Sequence, residues 1–282
     1  MEEDLLRRFI FEDLGLRGEW VKLSNSWQVI KRNQHGNATV QDNLGQALAA
    51  VVLLSATIKF NGSIIMQAQG DGAFRTLVAQ STHDRKIRGL VRFYGEVKHG
   101  PLEAMFGQGR LLMTIKPDNN DPYQGIVPLK GANLAVALQT YFIQSEQLDT
   151  RLWLFANEHH AAGLLLQEMP MQKNIRTDWE RIVMLADTLT ETELLNLDCN
   201  SLLHQLFHEE KVRMFDPEPV QFECACSKQK IEYALRSLSE QELEHILEEK
   251  GMIEVGCEFC NKQYRFDRID VKKIQASNLS AH

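Results

Sequence analysis

Four thiols are the residues of this chain best suited to chemistry: Cys224-Ala-Cys226 and, after thirty intervening residues, Cys257-Glu-Phe-Cys260. Each pair presents two sulfurs from one local turn. Two such pairs describe a closed zinc site, because the thiolate is the zinc-binding form and four sulfurs complete a tetrahedron with no position left for a substrate. A site of that kind builds structure and does not turn over a substrate. One zinc ion per chain is expected, held by Cys224, Cys226, Cys257 and Cys260. The fifth cysteine, Cys199, stands apart from the four and reads as a structural thiol.

The residues between the pairs must bring them together. Ser227 is placed to cap a helix running through Tyr233 toward Leu238, with Ile231, Leu235 and Leu238 on one face. Ser239-Glu-Gln-Glu242 is a capping box, in which the serine oxygen and the glutamate three residues on each satisfy an orphaned amide. The helix it opens carries Leu243, Ile246 and Leu247 inward and should stop at Gly251. Met252 to Val255 then reads as a strand, the Cys257–Cys260 knuckle as a turn, and Tyr264 and Phe266 as a return strand. A unit of about sixty residues buries little apolar surface. Metal ligation, worth on the order of 10–16 kcal/mol in small domains, is expected to supply much of its folding free energy.

These stretches resemble the redox-switch domain of the bacterial 33-kDa heat-shock chaperone family. The resemblance rests on Phe222-Glu-Cys-Ala-Cys-Ser227, Ile253-Glu-Val-Gly-Cys-Glu-Phe-Cys-Asn261 and Tyr264-Arg-Phe266, and it extends over the whole chain. Further motifs that carry it are Arg17-Gly-Glu19, Leu54-Ser-Ala-Thr-Ile-Lys-Phe60, Gln69-Gly-Asp-Gly72, Tyr141-Phe-Ile-Gln-Ser-Glu-Gln147, Phe207-His-Glu-Glu210 and Phe215-Asp-Pro217. The resemblance implies an ATP-independent holdase and not an enzyme. Such a protein is inactive when reduced and zinc-bound. Oxidation pairs Cys224 with Cys226 and Cys257 with Cys260, zinc leaves, and the chaperone binds unfolding or oxidatively damaged proteins under oxidative and heat stress. The resemblance also implies a homodimer on activation and a linker that contributes to client binding.

Composition is that of an ordinary globular protein, with 44% hydrophobic and 24% charged residues in 282. A net charge of −7 argues against binding nucleic acid or an anionic membrane, which calls for a basic surface. Met1-Glu-Glu-Asp4 lacks the basic and apolar regions of a secretory signal, so a cytoplasmic setting is expected. The charge-free run Ala47 to Ile58 is too short to span a bilayer and reads as a buried helix. Closely spaced thiols in that setting favour metal or redox chemistry over a disulfide scaffold.

The fold class expected is α+β, in three parts. Residues 1–174 read as a mixed domain with antiparallel strands: strand candidates at Ser63–Gln69, Thr76–Gln80, Gly89–Tyr94, Arg110–Ile115 and Tyr123–Val127, a long helix from Asp42 to Ile58, and a shorter helix capped by Ser26. Residues 175–218 read as a metastable helical linker, with helical patterns over Trp179–Leu189 and Glu191–Phe207. Short helices are marginal alone, so this linker is expected to lean on its neighbours, partly on the zinc module. Residues 219–282 form the zinc-binding redox-switch domain.

Other patterns are discounted. Gly70-Asp-Gly72 lacks the spacing and lysine of a phosphate loop and reads as a hairpin turn. Ser55 and Lys59 stand one helical turn apart without a third group. His159-His160 falls at a hairpin tip. His204 and His208 have zinc-protease spacing, but Gln205 occupies the place of the general base. Two rival functions remain open to the residues alone. A zinc ribbon for nucleic-acid or protein recognition sits badly with the acidic run Glu240 to Glu249, and a thiol–disulfide oxidoreductase needs its Cys257–Cys260 pair at a helix N-terminus. Thiolates can be oxidised; losing them as ligands would release zinc, loosen the module and let the linker expose its apolar face.

Overall fold

The computed structural model describes residues 4–57, 61–169 and 175–279. It opens with strands β1 (Leu5–Phe11) and β2 (Leu16–Leu23), helices α1 (Asn25–Asn33) and α2 (Ala38–Thr57), and the meander β3 (Gly62–Gln69), β4 (Phe74–Thr82) and β5 (Lys86–Phe93). Next come α3 (Leu102–Phe106), β6 (Arg110–Pro117), β7 (Tyr123–Pro128) and α4 (Leu134–Tyr141), which runs into one π-helical turn at Phe142–Glu146. The hairpin β8 (Thr150–Ala156) and β9 (Ala161–Glu168) leads to helices α5 (Ile175–Ala186), α6 (Glu191–Asn196) and α7 (Cys199–Phe207). Three very short strands follow, β10 (Val212–Met214), β11 (Glu218–Pro219) and β12 (Gln221–Phe222). The chain ends with α8 (Lys228–Leu235), α9 (Glu240–Lys250), β13 (Ile253–Gly256), β14 (Gln263–Phe266) and α10 (Arg268–Leu279). It divides into two compact units, the first ending at Glu223 and the second beginning at Cys224.

The α+β expectation holds: the larger unit consists of two sheets around one helix. The first sheet has the order β10-β1-β2-β9-β8, with β11 also on β1; the second has the order β12-β5-β4-β3-β6-β7. β12 joins β5 in parallel, and the other ladders are antiparallel. Helix α2 lies between the sheets; from Ala47 to Ala56 it is buried on every side, and that half is correspondingly apolar, with Ser55 its one polar residue. One core unites its alanines and leucines with Leu6, Val21 and Leu154 of the first sheet and Ile64, Met66 and Leu77 of the second. Among the described residues no helix is long and apolar enough to cross a membrane.

The opposite face of the first sheet carries a second core. Phe9, Phe11, Leu16, Trp20, Leu164 and Leu166 pack beneath Ile182, Ala186, Leu194, Leu195, Leu202 and Phe207. The rings of Phe11 and Phe207 meet edge to face at 5.1 Å. The segment expected as a linker is thus a helical lid, its apolar positions closed on the larger unit's own sheet. The single helix expected over Glu191–Phe207 is broken at Leu197-Asp198, because the Asp198 carboxylate accepts the Ser201 amide and starts a new helix. The expected cap of α1 also differs: Ser24 occupies the cap position, and Ser26 is buried within the helix.

Inside the larger unit, polar groups gather at the C-terminal end of α2. Ser55 Oγ donates to the Val52 carbonyl and accepts from Ser81 Oγ. The buried Arg85 guanidinium donates to the carbonyls of Ser55 and His83. Burial raises the Glu19 carboxyl to about 7, against the pull of Arg17, Arg8 and Arg85.

Helix α2 approaches the β8–β9 hairpin closely because residue 45 is glycine. A Cβ there would lie 2.5 Å from the Ala156 Cβ and 3.1 Å from the Ala161 Cβ, atoms fixed to sheet backbone. Gly45→Ala is expected to destabilise the larger unit by about 1–3 kcal/mol through overpacking. Denaturant unfolding followed by tryptophan fluorescence checks this; an unchanged midpoint would show that the helix is not seated so closely.

Candidate metal centre

The smaller unit has a modest core: Leu235, Leu243, Leu247, Ile253, Tyr264, Phe266, Val271 and Ile274, with the four thiols built into it or packed against it. Its local structure follows from its caps. Ser227 accepts the Lys230 amide at the start of α8, the Ser239–Glu242 capping box opens α9, and Gly251 ends α9 with a φ of 74°. These two helices bring the chain back to the β13–β14 hairpin, whose register pairs Ile253 with Phe266. Helix α10 was not foreseen, although Asp267 caps it through the Asp270 amide and Val271 and Ile274 are its buried residues.

The four sulfurs converge. Cys224 Sγ lies 3.6 Å from Cys257 Sγ, Cys226 Sγ lies 3.5 Å from Cys260 Sγ, and all four fall within 4.8 Å of one another. A metal with sulfur ligands at about 2.3 Å requires tetrahedral edges of roughly 3.8 Å, so the cluster has the size and donor set to hold one ion. Cys224 and Cys226 arrive from the stretch before the α8 cap. Cys257 and Cys260 lie in the β13–β14 turn, where the Asn261 amide donates to the Cys257 carbonyl (2.7 Å) and the Cys257 amide to the Lys262 carbonyl (2.9 Å). Asn261 has a φ of 57°, a left-handed conformation that asparagine tolerates. The Cys257–Cys260 pair therefore occupies a hairpin turn and not the helix N-terminus an oxidoreductase requires.

Electrostatics within the cluster are uneven. For Cys226, burial raises the thiol, but the Tyr264 hydroxyl 3.1 Å away and the neighbouring thiols outweigh it and bring the group down to about 7. Cys260 is pushed up to about 12, by burial first and then by its three sulfur neighbours. Cys224 is also raised, mainly by burial. Crowded sulfurs resist sharing more than one negative charge, and a bound cation reverses that penalty. The Tyr264 hydroxyl was the contributor sequence reasoning missed; it was read only as a strand residue.

The discounted residues fall elsewhere. His204 and His208 are exposed on α7 with ring centroids 5.9 Å apart, and His159-His160 sits in the β8–β9 turn. Asp71 is committed to the β3–β4 turn, where its carboxylate accepts the Gln108 amide at 2.7 Å. Ser55 is buried, Cys199 opens α7 on the buried face of the lid, and Lys59 lies outside the described residues. Among the described residues, the four thiols form the one group of three or more histidine, cysteine or acidic side chains close enough to share a metal.

Tyr264→Phe keeps the ring and removes the donor to Cys226. The donor holds that thiol low, so without it protons compete for the sulfur at higher pH. The midpoint of acid-induced metal release should therefore shift upward, as read with a chromogenic chelator; an unchanged or lower midpoint would contradict the hydrogen bond.

Comparison with known proteins agrees with this architecture. The sequence model of the family described as "Hsp33 protein" matches residues 4–267. A "33 kDa chaperonin" of Nitrosococcus oceani is 54% identical over 278 residues, covering 99% of this chain and 96% of the relative. One of Shewanella woodyi is 43% identical over 275 residues, covering 97% and 96%. The crystal structure of the 33 kDa chaperonin of Thermotoga maritima superimposes with a TM-score of 0.85 at 21% identity, covering 98% of this chain and 99% of that one. The last comparison speaks for the fold.

Proposed function

The chain belongs to the Hsp33 family of chaperones, and from that premise we propose that it is a redox-regulated, ATP-independent holdase of the cytoplasm. In the reduced state Cys224, Cys226, Cys257 and Cys260 hold one zinc ion. Zinc, when bound, supplies a node that ties the two ends of the smaller unit together. The observation that carries this reading is the four-sulfur cluster at the heart of a unit with so small a core. Ligation energy of about 10–16 kcal/mol is comparable to the whole net stability of a domain, so loss of the ligands unfolds the unit.

Oxidation of the sulfurs is the trigger. For each pair, two thiolates give up two electrons to one peroxide molecule, which takes two protons from solvent; an S–S bond forms, the O–O bond breaks, and two waters leave. We assign the disulfides as Cys224–Cys226 and Cys257–Cys260. The shortest contacts run across the pairs, but once the unit opens, partners two or three residues apart meet far more readily than partners more than thirty residues apart. The smaller unit begins at Cys224, directly after the strand β12 that follows the lid. Its unfolding removes a folded anchor from that end of the lid. The lid helices are short, and without support they release the aromatic face of the first sheet for unfolding clients. Association of two activated chains follows from the same exposed face.

The test is to treat the reduced, zinc-loaded protein with peroxide under mild heat. About one zinc per chain should appear with a chromogenic chelator, peptide mapping should find the two local disulfides, and light scattering of a heat-denatured client should be suppressed. Chelation without oxidant should unfold the smaller unit. Release of zinc with no gain of aggregation suppression would overturn the holdase reading.

A further inference from the structure

The segment that joins the lid to Cys224 is held by an unusual set of partners. After α7 it runs along β1, pairing Phe9 with Met214 and Leu6 with Glu218, and then crosses to the other sheet, pairing Gln221 with Lys86. Four successive amides each bond to a different place: Val220 to the Asp4 carbonyl (2.7 Å), Gln221 to the Arg85 carbonyl (3.1 Å), Phe222 to Ser26 Oγ (3.1 Å) and Glu223 to the Ile87 carbonyl (3.1 Å). Asp4 and Arg85 both have positive φ, 55° and 61°, conformations that non-glycine residues adopt where the surroundings fix them.

Val220 of this strap is buried in the main core, and one charged side chain reaches inward beside it. Glu218 forms ion pairs with Arg85 Nη2 through Oε2 at 2.9 Å and with Arg8 Nη2 through Oε1 at 2.7 Å. Arg85 is buried, with its other contacts to the Ser55 and His83 carbonyls at the end of α2. Arg8 is half-exposed and lies between Glu218 and the ring of Phe215. The strap's other charged contacts reach more exposed partners: Lys211 with Asp13 and Arg213 with Glu12 are exposed pairs, which contribute little, Glu223 pairs with the half-exposed Lys86, and Glu210 pairs with Arg181 of α5.

We propose that Glu218, clamped between Arg8 and Arg85, is a latch that sets how readily the strap and the lid above it open. This rests on the holdase reading. Breaking a buried ion pair on one side is costly, because the remaining charge is left without its partner. Here the cost falls on the closed strap. Glu19, in register with Arg8 on the neighbouring strand, remains as a second acidic group whose field reaches both guanidinium groups when Glu218 is neutralised. The sheets therefore stay folded while the strap loses its one charged inward tie and keeps its backbone bonds and Val220. The metal cluster governs the lid from beyond Cys224; the latch governs it from within the larger unit, and neutralising it uncouples lid opening from metal loss.

The experiment compares reduced, zinc-loaded wild type with Glu218→Gln, with Arg8→Gln, and with Asp13→Asn as the exposed-pair control. Limited proteolysis within residues 177–216 should be accelerated about tenfold or more in Glu218→Gln, less in Arg8→Gln, and not in Asp13→Asn, with one zinc per chain retained throughout. Glu218→Gln should also suppress client aggregation without oxidant. Cleavage equal to wild type, or acceleration matched in Asp13→Asn, overturns the latch. So does loss of zinc in step with cleavage. Should Glu218→Gln fold poorly, Arg8→Gln carries the same comparison. Oxidised wild type separates the two ideas: if it fails to protect the client, the holdase reading falls, while the cleavage comparison still decides the latch.

Discussion

The first sheet of the larger unit has two apolar faces, and both must be kept from water. Helix α2 covers one permanently: its second half is buried on every side and wedged against a second sheet. Three short helices cover the other. The asymmetry between these covers underlies everything else in the chain. A twenty-residue helix fixed between two sheets cannot leave without dismantling the unit. Helices of twelve, six and nine residues on the outside can leave as a group while the sheet beneath remains hydrogen-bonded.

That arrangement explains the division of labour between the units. Two extensive apolar cores dominate the larger one. The smaller unit relies on sulfur, with a few leucines and aromatic rings packed around a cluster that carries its own electrostatic tension. Four thiols at this spacing are difficult to deprotonate together and easy to satisfy with a cation. The same thiolates that make such a site strong make it sensitive to oxidants. On the proposed mechanism, such a unit reports on redox state because its stability depends on a reactive group.

Much of this was legible in the residues. The four cysteines, the caps at Ser227 and Ser239 and the stop at Gly251 are local signals, and local structure obeys them. The long run through Leu54 announced a buried helix by being apolar on all sides. The strap was not legible: β10, β11 and β12 are two or three residues long, contain Pro219, and exist only because β1 and β5 offer partners. The lid's resting place was also hidden, although β9 held a clue. Ala161-Ala-Gly-Leu-Leu-Leu166 does not alternate, as expected for a strand covered on both faces. Leu165 faces α2, while Leu164 and Leu166 face the lid.

On the proposed mechanism, the face beneath the lid also accounts for holding without ATP. Phe9, Phe11, Trp20, Trp153, Phe155, Leu164 and Leu166 offer broad, rigid apolar contact, and such contact is non-directional, so clients need share no sequence. The lid is then an intramolecular competitor for the same surface. Closing it by about 3 kcal/mol leaves under one molecule in a hundred open and weakens every client's apparent affinity by more than a hundredfold. Removing those few kcal/mol turns binding on, and restoring them displaces the client. A switch of that size is within reach of a single metal site whose ligation energy is several times larger, and no nucleotide cycle is needed to drive it.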